Sequence, residues 1–213
     1  MPRISKIDDL TRGDHSYLDS DDQCFYLGEY TARRGFAFSA TNNLILNLKK
    51  SPDLRGTEQW KWKERAIRQA GQALREVLSE PWLSTATLVP IPPSKTTGHP
   101  SYDDRILRVL QVLGAGMGLD IRELVLQTES VTAAHDSESR PRPWEIAENY
   151  HIDEDLAAPE PVQFGVFDDL LTTGSHFKAM KIALMERFPG VLVTGIFIAR
   201  RVPETTDVED ILV

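Results

Sequence analysis

Two adjacent carboxylates and a run of hydroxyl groups stand close together in residues 164–178, FGVFDDLLTTGSHFK. Asp168 and Asp169 directly follow a short apolar run, and a helical pattern begins a few residues later. The connecting turn carries Thr172, Thr173, Gly174 and Ser175. Carboxylates accept hydrogen bonds from hydroxyl groups, whereas the unpaired N–H groups at a helix N-terminus bind phosphate. The stretch therefore predicts a sugar-phosphate site, with the hydroxyls at the acids and the phosphate at the helix.

The same residues also have a purely structural interpretation. Asp, Ser and Thr are the preferred N-cap residues of helices, so the turn could serve only to cap the helix that follows. Against this, an extended chain points Asp168 and Asp169 to opposite faces of a sheet, and a buried carboxylate without a partner is costly. We therefore favour the binding site and keep capping as the alternative.

The elements that would position this site alternate between strand and helix. Strand patterns cover residues 24–31, 85–92, 121–127, 161–169 and 191–200. Helical patterns cover residues 44–48, 67–78, 106–113 and 177–188, with Pro81 expected to end the second. This alternation, together with a last strand that is almost continuously apolar, predicts an α/β fold with a mostly parallel twisted sheet flanked by helices. In such sheets ligands bind beyond the carboxyl ends of the strands, where the two aspartates fall.

Composition limits the class of protein. The chain has 213 residues, which predicts a single domain over residues 1–213 with an acidic tail at residues 202–213. The net charge of −8 does not indicate nucleic-acid binding. The single Cys24 excludes an internal disulfide and a cysteine-based zinc site. Since no run is apolar enough for a membrane span or a secretory signal, we expect a cytoplasmic protein.

The stretch VFDDLLTTGSH resembles the phosphoribosyl-pyrophosphate (PRPP) motif of type I phosphoribosyltransferases. That motif has an apolar strand, two acids, two variable positions, Thr-Thr-Gly and a further hydroxyl. The resemblance implies that Asp168 and Asp169 bind the ribose hydroxyls. It also implies that the 5'-phosphate is bound by Thr172, Thr173, Gly174 and Ser175. His176 stands where the family usually has Thr or Ser, and it is larger but can still donate a hydrogen bond to phosphate.

Other segments extend the resemblance over about residues 25–201. LVPIPPSK is similar to the loop that binds pyrophosphate, with Ser94 and Lys95 as donors. The order YTARRGFAFSATNNLILNLKK, VPIP, SRPRPWEIAENYHI, PRPP motif and VTGIFIAR resembles the ComF-like, amidophosphoribosyltransferase-related branch of the family. The chain lacks the N-terminal cysteine cluster of that branch and hence its zinc ribbon. In addition, YDDR replaces the Arg-Gly-Phe-Asn stretch that usually follows the Val-Pro-x-Pro loop.

Residues 128–148 are polar and show little periodicity, which is typical of a functional or disordered loop. The resemblance implies that this loop closes over the substrate and supplies a basic residue. Arg140 and Arg142 are the candidates, with His135 behind them; the alternative is an ordinary surface loop. The resemblance further implies a small hood over the site, built from about residues 1–45 and 119–153.

The implied reaction transfers the 5-phosphoribosyl group of PRPP to a nitrogen acceptor and releases pyrophosphate. Lys95, Arg140 and Arg142 would act on the leaving pyrophosphate. Mg²⁺ would be held mainly by substrate oxygens and water, so no metal site made by the protein alone is predicted. The acceptor cannot be identified from the sequence. The alternatives are a non-catalytic PRPP or nucleotide sensor or accessory protein in DNA uptake or defence, and an unrelated phosphate-binding α/β protein; each could be a homo-oligomer.

Overall fold

The computed structural model describes residues 3–130 and 141–203. Its main sheet contains β1 (Ser5–Lys6), β2 (Gln23–Thr31), β3 (Ala86–Pro90), β6 (Gln163–Leu171) and β7 (Leu192–Val202). The strand order is β1-β2-β7-β6-β3, with β1 antiparallel to β2 and all other neighbours parallel. Together with the helices on both faces, this confirms the predicted α/β fold with a mostly parallel sheet.

Helices cover both faces of the sheet. They are α1 (Ala40–Leu48), α2 (Trp60–Val77), α3 (Glu80–Leu83), α4 (Arg105–Gly114), α5 (Pro143–Glu148) and α6 (Ser175–Arg187). The first four pack in one core and the last two in the other. Pro81, predicted to end α2, instead lies in the first turn of α3. A backbone N–H in the first turn has no partner within the helix, so proline is tolerated there.

The strand β6 lies between β7 and β3 and is buried on both faces, which explains why its apolar residues run on without alternation. Phe164 and Val166 pack in the core with Phe177 of α6. Phe167 points the other way and packs in the core with Leu110 of α4. Because successive residues alternate between faces, the two aspartates that follow also point to opposite sides of the sheet.

A second, two-stranded sheet lies beside the main one. It pairs β4 (Val125–Gln127) antiparallel with β5 (Tyr150–Ile152). The predicted strand over residues 121–127 is therefore wrong in length and partner, although Ile121 bridges to Leu88 at the edge of the main sheet. The helix α5 falls in the stretch predicted to lack structure, since its six residues are too few to show a helical period.

The two segments predicted to form a hood contribute to different parts of the fold. Within residues 1–45 the chain contributes β1, β2 and most of α1 to the main fold, whereas residues 119–153 supply β4, α5 and β5. Residues 204–213 of the predicted acidic tail lie outside the described residues. In the described part of the chain, no helix is long and apolar enough to span a membrane.

Candidate functional site

A cavity of about 570 Å³ opens beyond the carboxyl ends of β3 and β6. This is the edge at which ligands bind in parallel α/β sheets. Its lining includes six of the predicted site residues, namely Ser94, Lys95, Asp168, Asp169, Thr172 and His176. The structure thus brings together the acidic pair, the start of the turn after β6 and the loop after β3.

Asp169 lies on the α4 side of the sheet, and its side chain is only 2% exposed. Its Oδ1 is 3.1 Å from Lys49 Nζ, and its Oδ2 accepts a hydrogen bond of 2.7 Å from Arg105 Nε. Burial alone would raise the pKa of this carboxyl, but the Arg105 guanidinium and the Lys49 ammonium outweigh that effect and lower it. Asp169 is therefore ionised at neutral pH, with both oxygens engaged by cations.

Asp168 has a different environment. It is half-buried in the cavity wall, and its Oδ1 accepts the backbone N–H of Asp169 at 2.7 Å. Burial and then repulsion by Asp169 raise the pKa of Asp168, and Lys49 and Arg105 offset this only in part. The charge of Asp168 also reaches Tyr150, whose pKa is raised first by burial and then by this carboxylate. Asp168 is thus the acid of the pair that a ligand in the cavity can contact.

The turn after β6 is held from behind by the N-terminal segment. His15 Nδ1 donates a hydrogen bond to the carbonyl oxygen of Thr172. The N–H of Tyr17 donates to the carbonyl oxygen of Thr173 at 2.9 Å. These two hydrogen bonds tie the turn to residues 15–17 of the N-terminal segment.

Gly174 connects the turn to α6 with a left-handed backbone, φ +85°. A Cβ at this position would lie 2.8 Å from Leu18 Cδ2, so both the backbone and the packing require glycine. Among the described residues, the N–H groups of residues 174–177 donate no backbone hydrogen bond. Such N–H groups at a helix N-terminus favour an anion. Of the predicted phosphate ligands, Thr172 lines the cavity, whereas Thr173, Gly174 and Ser175 are not part of its lining.

His176 lines the cavity next to this turn. Its Nδ1 lies 3.1 Å from the hydroxyl oxygen of Tyr150. The loss of hydration inside the cleft lowers the pKa of His176, and repulsion by Lys49 lowers it further. The imidazole is therefore neutral at neutral pH, and it can donate to a phosphate only through the nitrogen that carries the proton.

The loop after β3 forms another part of the cavity wall. The N–H of Ile91 donates to the carbonyl oxygen of Phe167 at 2.8 Å, which carries the β3–β6 pairing one residue beyond the end of β3. Ser94 is exposed and Lys95 half-buried, and both line the cavity as predicted. Thr96 N–H donates to Ser130 Oγ at 3.1 Å, so this loop also contacts the start of the loop predicted to close over the site.

Several cavity residues escaped the sequence analysis. They are Lys49, Tyr102, Asp103, Asp104, Arg105, Glu123 and Gln127. The stretch YDDR carries Arg105, but the sequence analysis treated it only as a departure from a familiar pattern. Lys49 lies in the pair that ends α1, where a lysine is ordinarily a solvated charge. For Lys49 and Arg105, a signal was present in the sequence: a buried Asp169 needs a cationic partner.

Of the predicted basic loop residues, only Arg142 belongs to the part of the chain that the structure describes. Arg142 is the N-cap residue of α5, and its guanidinium lies 5.3 Å from the centre of the Trp144 ring. It is exposed and is not part of the cavity lining. Arg140 and His135 lie outside the described residues.

In the described ranges 3–130 and 141–203, no group of three or more His, Cys, Asp or Glu side chains is arranged to hold a metal ion. Comparison of the chain with protein-family models and with curated proteins found no match.

Proposed function

We propose that this protein binds PRPP and is a type I phosphoribosyltransferase-like, ComF-like enzyme that transfers the 5-phosphoribosyl group to a nitrogen acceptor. The observation that carries the proposal is the convergence of three predicted motifs on one cavity. The acidic pair, Thr172 at the start of the following turn and the Ser94–Lys95 loop, which lies more than 70 residues earlier in the chain, line the same space. The proposal includes the phosphoribosyltransferase-like fold and a cytoplasmic location.

The proposed ligand arrangement follows from the chemistry of each wall. Asp168 accepts hydrogen bonds from ribose hydroxyls, since its half-buried carboxylate lines the cavity. The Thr172 hydroxyl lines the cavity and donates to the 5'-phosphate, and the partial positive charge of the α6 N-terminus next to it attracts the same group. Ser94 and Lys95, which line the cavity from the loop after β3, bind the pyrophosphate group. A molecule with a phosphate at each end and hydroxyls between them complements all three.

The charge of the cavity supports a requirement for a divalent cation. Its lining carries the five carboxylates Asp103, Asp104, Glu123, Asp168 and Asp169 and the three cations Lys49, Lys95 and Arg105. A polyphosphate ligand therefore enters a lining that is formally negative, and its own charge needs compensation. Mg²⁺ bound mainly to ligand oxygens would neutralise the pyrophosphate and stabilise it as a leaving group.

In the proposed reaction the acceptor nitrogen attacks C1 of the ribose as the C1–O bond to pyrophosphate breaks. The protein contributes mainly by positioning the two reactants and stabilising the charge that develops on the leaving group. Lys95 donates to that group from the loop after β3. Arg140 and Arg142 would join it from the loop that contains residues 131–140, and closure of this loop would exclude water.

Non-catalytic binding of PRPP or a nucleotide is the second candidate. His176, with its lowered pKa, supplies a neutral ring where the family has a hydroxyl, and both oxygens of Asp169 are occupied by cations. Either feature would permit binding yet impair the geometry of transfer.

The two candidates are separated by measuring ligand binding and turnover on the same preparation. Thermal shift with PRPP, ribose 5-phosphate and nucleotides, with and without Mg²⁺, reports binding. Release of pyrophosphate in the presence of a panel of nitrogenous bases and amines reports transfer. We expect stabilisation by PRPP and acceptor-dependent pyrophosphate release. Stabilisation without release identifies a sensor, and no stabilisation by any sugar phosphate contradicts both candidates.

A further inference from the structure

The two aspartates of the motif do not present equivalent carboxylates to the cavity. Asp169 is 2% exposed, and its two oxygens contact Lys49 and Arg105 at 3.1 and 2.7 Å. Asp168 is half-buried, and its Oδ1 accepts a backbone N–H. A ligand that approaches the pair therefore reaches Asp168, whereas it reaches Asp169 only after a cation is displaced.

Arg105 is held at a second point. Its Nη1 donates to Asp103 Oδ2 at 2.7 Å, and the same oxygen accepts a hydrogen bond of 2.8 Å from Lys63 Nζ. The Lys63 side chain has no exposed surface, and its ammonium also donates to the carbonyl oxygens of Leu48 and Lys50 at 2.7 and 2.8 Å. The guanidinium is thus fixed between two carboxylates, one of which is anchored in the core beside the end of α1.

Lys49 belongs to the same arrangement. It directly follows α1, between the two residues whose carbonyls bind Lys63, and its side chain is 42% exposed. Lys49 and Arg105 both line the cavity. Asp169 also lines the cavity, but its buried carboxylate contacts both cations and fixes where their charges are presented.

We propose that Asp169 is a positioning residue that holds Lys49 and Arg105 at the cavity wall to contact an anionic group of the ligand, while Asp168 alone accepts the ribose hydroxyls. This inference rests on the proposed binding of a sugar phosphate, and it divides between two residues a role that the motif resemblance gives to both. Within the site, Asp169 acts through the two cations and does not touch the ligand.

A double-mutant cycle tests this division. Isothermal titration with pyrophosphate and with ribose 5-phosphate would be run on wild type, D169N, K49M/R105Q and the triple variant. We expect D169N to weaken pyrophosphate binding by about tenfold, equivalent to about 1.4 kcal/mol, because the two cations lose their fixed positions. In the K49M/R105Q background the same change should alter the Kd by less than about twofold, because its effect passes through those cations.

Two further variants control the cycle. D168N should weaken ribose 5-phosphate but leave pyrophosphate within about twofold, since only the sugar carries the relevant hydroxyls. K50M is the matched control for Lys49, because Lys50 is adjacent but contacts Gln59 and Phe36 outside the cavity. Should D169N fail to fold, D169E takes its place in the cycle, and K49M/R105Q must in either case weaken pyrophosphate binding while K50M does not.

The outcomes separate this inference from the proposed function. If wild type binds neither probe, both proposals are wrong. If wild type binds ribose 5-phosphate, and the D169N change weakens that binding equally in wild type and in K49M/R105Q, then Asp169 contacts the ligand directly. In that case only the positioning role is wrong. Unchanged pyrophosphate binding in K49M/R105Q also contradicts the positioning role, because those cations then do not meet the anion.

Discussion

Two parts of the cavity lining are held in place by different kinds of interaction: the α6 wall, with Thr172 and His176, and the α1–α4 wall, with Lys49, Arg105 and Asp169. The α6 wall depends on the backbone. The chain turns through Gly174, the first helix N–H groups have no backbone partner, and residues 15–17 bind the carbonyls of the turn. The α1–α4 wall depends on ion pairs between charged side chains around Asp169 and Asp103. The cavity therefore combines a wall that neighbouring residues encode with a wall whose ion pairs form only when distant residues meet in the folded chain.

The charged wall should be the more sensitive of the two to a single change. K63M removes the ammonium that binds Asp103 and two backbone carbonyls, and leaves a buried carboxylate short of a partner. We expect a loss of about 3–5 kcal/mol in the free energy of unfolding, measured by urea denaturation. K61M, at an exposed lysine of the same helix, should change it by less than about 0.5 kcal/mol. A K63M variant as stable as K61M would show that Lys63 does not anchor this wall.

The backbone wall is tested by two glycines with similar dihedral angles. Gly174 and Gly190 have φ of +85° and +82°, but only at Gly174 would a Cβ meet a neighbour, Leu18 Cδ2 at 2.8 Å. We expect G190A to cost about 1 kcal/mol from backbone strain alone, and G174A to cost about 2–3 kcal/mol because Leu18 must also move. An equal loss of unfolding free energy in G174A and G190A would mean that Leu18 moves aside at no cost, so that the N-terminal segment does not hold the turn.

A smaller, pH-dependent effect should come from His15, which is 1% exposed behind the turn. Burial lowers the pKa of His15 below its ordinary value of 6.5, although the hydrogen bond to Thr172 and the charge of Asp14 oppose this. As pH falls below that ordinary value, the unfolded chain takes up the proton first, so the stability contributed by neutral His15 is lost on acidification.

Urea denaturation at several pH values measures this effect. The difference in unfolding free energy between wild type and H15Q should shrink or reverse from about pH 7.5 to about pH 5.5. A difference for H15Q that stays the same across this pH range would show that protonation of His15 is not coupled to folding.

The sequence predicts the parts of this structure that depend on neighbouring residues. Continuous apolar runs gave the parallel strands, and the acidic pair at the end of β6 with its glycine turn gave one wall of the cavity. The alternation of strand and helix placed the loop after β3 on the same edge. Each of these features lies within about fifteen residues of chain, where pattern and local structure coincide.

The remaining features depend on pairings across long separations. Arg105 contacts Asp169, 64 residues away, and Lys63 contacts Asp103, 40 residues away. A lysine or an aspartate in a polar stretch gives no sign of which partner it will meet. The helix α5 was missed for a different reason, because its position after the polar loop and its two buried residues leave almost no periodic signal.

Direct titration of ribose 5-phosphate into wild type, D168N and D9N tests the central claim, that the cavity at the end of β6 binds a sugar phosphate through Asp168. Asp9 is a matched control because its side chain is 90% exposed and lies outside the cavity lining. We predict saturable binding by wild type and D9N with similar Kd, and a Kd at least about tenfold higher for D168N. No binding by wild type, or equal binding by D168N and D9N, would contradict the account.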